Sequence, residues 1–295
     1  MFIIKYKKIF VAISAVLVSL SVASIIFFGL NFGIDFKGGS LLEVEYTNSR
    51  PEQSLVEENI KSVSIGEALI QPMGEVGYSI KTRDITELER GEVMKALGID
   101  AVEKSFTSIG PSVGAELVRK SIISFILVVL GIIFWIAFSF RKVSKPVSSW
   151  KYGFMAIVSL IHDVTISAGV FAFLGYLTGA EVDTLFVVAI LTVLGLSVSD
   201  TIVVFDRIRE NIRVGHFKTF EETVGKSLNQ VYTRSIATSS TVIIVLLALV
   251  FFGPASTRVF SIMLTAGMFF GTYSSIFLAS PLLVILEGAQ NKNKK

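Results

Sequence analysis

A single carboxylate, Asp200, lies within the apolar stretch LFVVAILTVLGLSVSDTIVVFDRIREN, residues 185–211. If that stretch crosses a membrane, the charge costs ~3 kcal/mol on insertion scales. Side chains kept at that cost are proton or cation relays, or buried polar contacts that hold helices together. Asp200 stands 17 residues after Asp183 and 7 before Arg207. Those counts are ~25 Å and ~10 Å along a helix rising 1.5 Å per residue. Gly195, Ser197 and Ser199 beside it are small and permit close helix approach. An ion site and a structural polar contact both fit these facts.

A second carboxylate follows an imidazole at His162–Asp163, 12 residues after Lys151, or ~18 Å along a helix. Ser159 and Ser167 fall one turn to either side on the same face. The pair extends the relay reading, and a helix-bridging His162 is the structural alternative. Arg234 opens a further apolar run as RSIATSST, with Thr238 and Thr241 continuing its face. Arginine stays charged while aspartate can take up a proton. Protonating Asp200 would therefore break an Asp200–Arg234 pair and release one helix from another. The plain alternative is an arginine that snorkels to the interface.

Glycines mark two junctions. NFGIDFKGG (31–39) contains Gly33, Gly38 and Gly39, and GPSVG (110–114) contains Gly110 and Gly114. Such residues allow tight bends or close backbone approach. Asp35 is placed to cap or hydrogen-bond the first turn. Together the two segments read as a hinge between a soluble domain and membrane helices.

The elements that must position these groups follow from composition. The 295 residues are 52% hydrophobic, with mean hydropathy +0.69, which fits a multi-span membrane protein. No cysteine is present and only two histidines are, so a thiolate site, a disulfide and a histidine-rich metal site are excluded. A phosphate-binding Walker loop, paired glycosidase-type carboxylates and a nucleophile–base set are missing too. An enzyme is not expected, nor a metal, an organic cofactor or a nucleic-acid partner.

Six apolar runs, near 9–30, 121–140, 152–178, 184–205, 235–253 and 258–286, each approach or exceed the ~20 residues that cross a bilayer as a helix. The first follows Lys5, Lys7 and Lys8, has no convincing cleavage site after it, and reads as a retained span rather than a signal peptide. Basic residues gather at the N-terminus, at Arg141, Lys142, Lys145 and Lys151, at Arg207, Arg209, Arg213, Lys218, Lys226 and Arg234, and in the tail NKNKK. In a six-span chain all four segments share one side, which predicts cytoplasmic termini. The connection near 206–232 reads as an amphipathic helix lying against lipid headgroups, and 287–295 as a basic tail.

Residues 31–120 form the outer segment, with 10 basic and 15 acidic residues. Strand patterns at 41–46, 66–71, 76–82 and 102–109 alternate with helices at 51–60 and 84–97. The order β-α-β-β-α-β predicts a ferredoxin-like α+β domain between the first and second spans. Pro72 and Gly74 separate the second and third strands.

GIDFKGG (33–39), His162–Asp163, LSVSDTIVVFDRIREN (196–211) and LNQVYTRSIATSST (228–241) resemble the signatures of the SecF family, in the resistance-nodulation-division superfamily. The resemblance covers nearly the whole chain. It implies a subunit of the bacterial inner membrane that pairs with SecD in a pseudo-symmetric twelve-span unit. That unit associates with the SecYEG channel and YajC, and uses a proton or sodium gradient to assist late export of an unfolded polypeptide. It also implies that Asp200 is the ion-relay carboxylate and Arg234 its basic partner, with His162, Asp163, Ser197, Thr238 and Thr241 as supporting polar groups. The chain departs from the family pattern at Lys37, Ser197, Ser199 and Ser235, which leaves the coupling ion open. An ion-driven exporter of a small hydrophobic solute and a passive scaffold of the export channel are the alternative readings.

Overall fold

The structure is a computed structural model that describes residues 2–140, 149–215 and 217–292. The basic positions Arg141, Lys142 and Lys145, and residues 293–295 of the tail, lie outside the described residues. The chain divides into two compact units, one of residues 32–123 with 182–184 and one of the remaining segments.

The first unit holds a four-stranded antiparallel sheet, β1 (Gly39–Tyr46), β2 (Leu69–Met73), β3 (Gly77–Thr82) and β4 (Ala101–Ile109), in the spatial order β2-β3-β1-β4. Helices α4 (Gln53–Lys61) and α5 (Glu87–Leu97) connect the strands in the order β-α-β-β-α-β. Alternation on β1 turns Leu42, Val44 and Tyr46 inward, where they pack with Val56 and Ile60 of α4 and Val93 of α5. Helix α5 starts at a capping box. The Thr86 side chain accepts from the Glu89 amide, and the Glu89 carboxylate accepts from the Thr86 amide, which satisfies two end donors reciprocally. Gly98, at φ 95°, ends the helix. Pro72 lies inside β2 rather than between strands. It is tolerated because β2 is an edge strand and pairs only with β3.

The second unit contains most of six helices long and apolar enough to span a membrane. These are α2 (Lys7–Phe28), α6 (Pro111–Phe140), α7 (Ser149–Thr178), α8 (Thr184–Val214), α9 (Phe220–Phe252) and a last span built from α10 (Ala255–Ser274), a π-helical turn (Ser275–Ala279) and α11 (Ser280–Lys292). Short helices α1 (Phe2–Lys5) and α3 (Ile34–Lys37) precede α2 and β1 respectively.

Among the described residues of 206–232 there is no separate surface helix. Residues 206–214 prolong α8, and 220–232 open α9. The reversal sits between them, where Gly215 takes φ 73° and Thr219 caps α9 by accepting from the Glu222 amide at 3.1 Å. Polar residues at a span's end extend the helix because its cap, not its hydropathy, decides where it stops. The first six residues of the expected tail, 287–292, are likewise the end of α11.

Helices α7, α8 and the last span make the interior, and small residues set their approach. Gly169 of α7 meets Ser21 of α2, where an added Cβ would lie 2.5 Å from the Ser21 Cβ. Ser24 donates to the Gly169 carbonyl at 2.8 Å. Gly267 and Gly271, one turn apart on α10, face Val193 and Ser197 of α8. This is the small-xxx-small pattern by which membrane helices pack closely. The π turn precedes Pro281, whose ring nitrogen cannot donate to the Phe277 carbonyl, so the ladder widens there.

Candidate functional site

The polar residues of the membrane unit collect at two places. Asp200 of α8 lies beside the hydroxyls of Ser235 on α9 and Thr272 on α10. Its Oδ2 is buried with no hydrogen-bond partner among the described residues. Thr272 in turn donates to Ser239 at 2.6 Å. An unpaired carboxylate oxygen beside hydroxyls is a place where a proton or small cation can be held.

Asp163 of α7 is buried completely. Its Oδ1 meets His162 Nδ1 at 2.8 Å, and its Oδ2 accepts from Ser274 at 2.8 Å and from Ser197. Ser197 therefore bridges α8 to α7 at Asp163, three residues ahead of Asp200. His162 is 3% exposed and stacks on Tyr273, with ring centroids 6.3 Å apart. Tyr273 donates to the Phe10 carbonyl of α2 at 3.2 Å. The pair thus joins α7 to α8 and α10, and through Tyr273 to the backbone of α2.

Arg234 does not pair with Asp200. Its side chain is exposed, as are Thr238 and Thr241, while Ser235 and Ser239 are buried. The expected stripe Arg234–Thr238–Thr241 is displaced by one residue from the stripe that faces Asp200. One residue is 100° of helix rotation, enough to turn the guanidinium out of the bundle. Among the described residues no ion pair joins Asp200 and Arg234.

The glycine junctions come together within the sheet-containing unit. An added Cβ at Gly114 would lie 3.1 Å from the Gly38 nitrogen and 3.2 Å from the Phe36 carbonyl. Gly39 runs 2.6 Å by the same measure from the Thr82 carbonyl. Gly110 precedes α6, which starts at Pro111. Gly33 donates to the Val182 carbonyl at 2.9 Å. Asp35 does not close its own turn. It accepts from the amide and hydroxyl of Thr184 at 2.8 and 2.6 Å, which caps α8.

Ser235 and Ser239 lie within the run RSIATSST, Ser235 noted only as a departure from the family pattern, while Thr272, Ser274 and Ser275 were not singled out by type or spacing. The signal of these last three is the run GTYSS (271–275) inside an apolar span, readable only once a carboxylate is known to face it. Among the described residues no group of three His, Cys, Asp or Glu side chains gathers to hold a metal.

Comparison with known proteins gives the family. Residues 90–289 match the family described as "Protein export membrane protein SecD/SecF, C-terminal", and residues 23–49 match the "SecD/SecF GG Motif". The chain is 40% identical to "Protein translocase subunit SecF" of Thermobaculum terrenum, over 97% of this chain and 93% of the relative. It is 36% identical to the protein of the same name from Anaerolinea thermophila, over 97% and 94%. A crystal structure of SecDF, "a translocon-associated membrane protein" from Thermus thermophilus, superposes with a TM-score of 0.82 at 28% identity, covering 96% of this chain. A SecDF structure in a "Super-membrane-facing form" gives 0.70 at 28% identity. The chain spans 38% of the first SecDF chain and 39% of the second. With both family models matched along the membrane helices and the glycine junction, the chain belongs to the SecF family of protein export membrane proteins.

Proposed function

We propose that this chain is a multi-pass subunit of the bacterial inner membrane that couples proton or sodium flow to late-stage protein export. Asp200 supplies the carboxylate that binds the ion. The observation that carries this reading is its unpaired, buried Oδ2 in the middle of a membrane helix. Moving one charge through 100 mV is worth ~2.3 kcal/mol, enough to bias helix packings of similar energy.

Arg234 works in this scheme from the outside of the bundle. Its exposed side chain suits a partner helix, and the SecDF chains that are more than twice as long leave room for a SecD half. A SecD-type subunit would bring that helix and a further carboxylate. SecYEG, YajC, membrane lipid and the exported polypeptide complete the set of partners. The α+β unit is ferredoxin-like, as the element order and the strand order β2-β3-β1-β4 support, and it is the part that meets the exported chain. Gly33, Asp35, Gly38, Gly39, Gly110 and Gly114 form its hinge. Both termini face the cytoplasm, in keeping with the basic residues of the N-terminus and the α8–α9 connection.

The test is export into inverted vesicles that contain the partner subunits, with proton and sodium gradients imposed separately. Asp200→Asn is expected to assemble normally and to lose the gradient-dependent stimulation. Unchanged stimulation at equal expression would favour a passive scaffold. Recovery as a homodimer that exports a hydrophobic solute would favour the exporter.

A further inference from the structure

The Ser274 hydroxyl has one hydrogen and two acceptors. It lies 2.8 Å from Asp163 Oδ2 and 3.0 Å from the Gly271 carbonyl. The same carbonyl is 3.0 Å from the Ser275 hydroxyl, which lies 2.8 Å from Thr201, the neighbour of Asp200 on α8. His162 Nε2 is buried with no partner among the described residues.

We propose that His162 and Asp163 form a second proton-binding site, separate from Asp200, whose occupancy is read by rotation of the Ser274 hydroxyl. The proposal rests on the ion-coupled reading of the chain and extends it to residues that pair with neither Asp200 nor Arg234.

Counting donors shows why the site tolerates both charge states. With Asp163 ionised, Ser197 and Ser274 donate to Oδ2, His162 Nδ1–H donates to Oδ1, and Ser275 donates to the Gly271 carbonyl. With a proton on Oδ2, that O–H donates to Ser274, and the Ser274 hydrogen turns to the Gly271 carbonyl, which has two lone pairs. Ser275 is then released to donate to Thr201. Every hydroxyl keeps a partner in both states, and no helix has to move for the proton to bind. A structural staple would need only the first arrangement.

The imidazole fixes which carboxyl oxygen takes the proton. A neutral ring has one N–H and one bare nitrogen. With the N–H on Nδ1 toward Asp163, the bare nitrogen is the buried, unpartnered Nε2. The Nδ1–H stays on Oδ1 in both charge states, so the oxygen that gains and loses the proton is Oδ2, the one that Ser274 reads. The titratable group facing the pair from α10 is Tyr273, and α8 faces it with the Ser197 hydroxyl. Hard cations are held by oxygen ligands. Here an imidazole nitrogen engages one carboxylate oxygen and two hydroxyls hold the other, so the ligand is a proton rather than sodium.

The experiment is an infrared pH titration of the full chain in lipid bilayers, following the protonated-carboxyl band. In an Asp200→Asn background, a titrating component is expected that is missing from the Asp163→Asn/Asp200→Asn double variant, the other carboxyls cancelling in the difference. Asparagine keeps the shape and accepts both serine hydroxyls, and an unchanged thermal midpoint verifies that the fold is kept. His162→Gln and Ser274→Ala should each displace the midpoint of the Asp163 band by about one pH unit, as coupled groups do. Sodium at fixed pH should leave the band unchanged. The idea is overturned if the two backgrounds give the same band, if Ser274→Ala leaves the midpoint of the Asp163 component in place, or if sodium abolishes that component. A silent Asp163 together with lost export stimulation in Asp200→Asn would sink this site and leave the ion-coupled reading standing.

Discussion

The Asp35 carboxylate caps a helix that begins 149 residues further along the chain, by accepting from both the amide and the hydroxyl of Thr184. The first amides of α8 have no carbonyl partners within the helix, and a carboxylate there also faces the positive end of the helix dipole. Asp35→Ala should cost about 1 kcal/mol, the usual value for a lost cap. Hydrogen exchange should speed up in the first turn of α8, at residues 184–187, with α7 unaffected. Asp35→Asn should keep much of the protection, because its amide oxygen still accepts. Equal exchange in all three proteins would show that the cap contributes nothing.

Gly267 and Gly271 let α10 approach α8. An added Cβ at Gly271 would lie 3.1 Å from the Ser197 Cβ, and one at Gly267 would overlap Val193 and come within 3.1 Å of the Ser167 hydroxyl. Overpacking of this kind costs about 1–3 kcal/mol. Gly267→Ala should therefore lower the thermal midpoint of the purified chain more than Gly271→Ala does. Gly131→Ala on α6, where a Cβ meets nothing within 4 Å, serves as the control and should leave the midpoint in place.

Much of this arrangement was readable in the chain, for specific reasons. Each span announced itself because twenty apolar residues in sequence have few other uses. Asp200 and His162–Asp163 stood out because charge in such a run is costly. The helix ends were less legible, since α8 continues to Val214 and α9 starts at Phe220 on polar residues that hydropathy assigns to a loop. Pro72 looked like a strand break because the sequence does not say which strand is at the edge. Arg234 was placed one residue off the inward stripe, since its neighbours are hydroxyl residues on both faces of α9. Ser274 and Ser275 were invisible because single hydroxyls in a membrane helix bond to their own backbone and carry no signature. Their direction depends on the π turn beside Pro281.

Glu89 makes the start of α5 sensitive to acid. Its carboxylate is held at about 2, below the usual 4.5, by the hydrogen bond from Arg83 and by the amide and hydroxyl of Thr86. A carboxylate with a depressed value in the folded state contributes stability above its unfolded value. The contribution is therefore complete above pH 4.5 and fades as pH falls through about 2. Pepsin treatment of the full chain across that range should show cleavage within 84–98 rising toward pH 2. Glu89→Gln should be cleaved there even at pH 4.5. A profile unchanged by the substitution would remove the carboxylate from the account.

Arg234 separates folding from assembly. Its side chain is exposed and joins no ion pair among the described residues, so Arg234→Ala should change the thermal midpoint of the isolated chain by no more than a surface substitution does, within about 0.5 kcal/mol. Under the proposed function, the same change in the assembled export complex should abolish gradient-dependent stimulation, because a carboxylate on the proposed partner helix would lose the fixed charge beside it. Arg234→Lys should restore part of it, keeping the charge while losing the planar fork. Ser235→Ala, on the inward stripe beside Asp200, should instead alter the pH dependence of stimulation while complex recovery stays normal. If Arg234→Ala destabilises the isolated chain as much as it impairs export, the residue is a structural anchor and the outward role assigned to it fails.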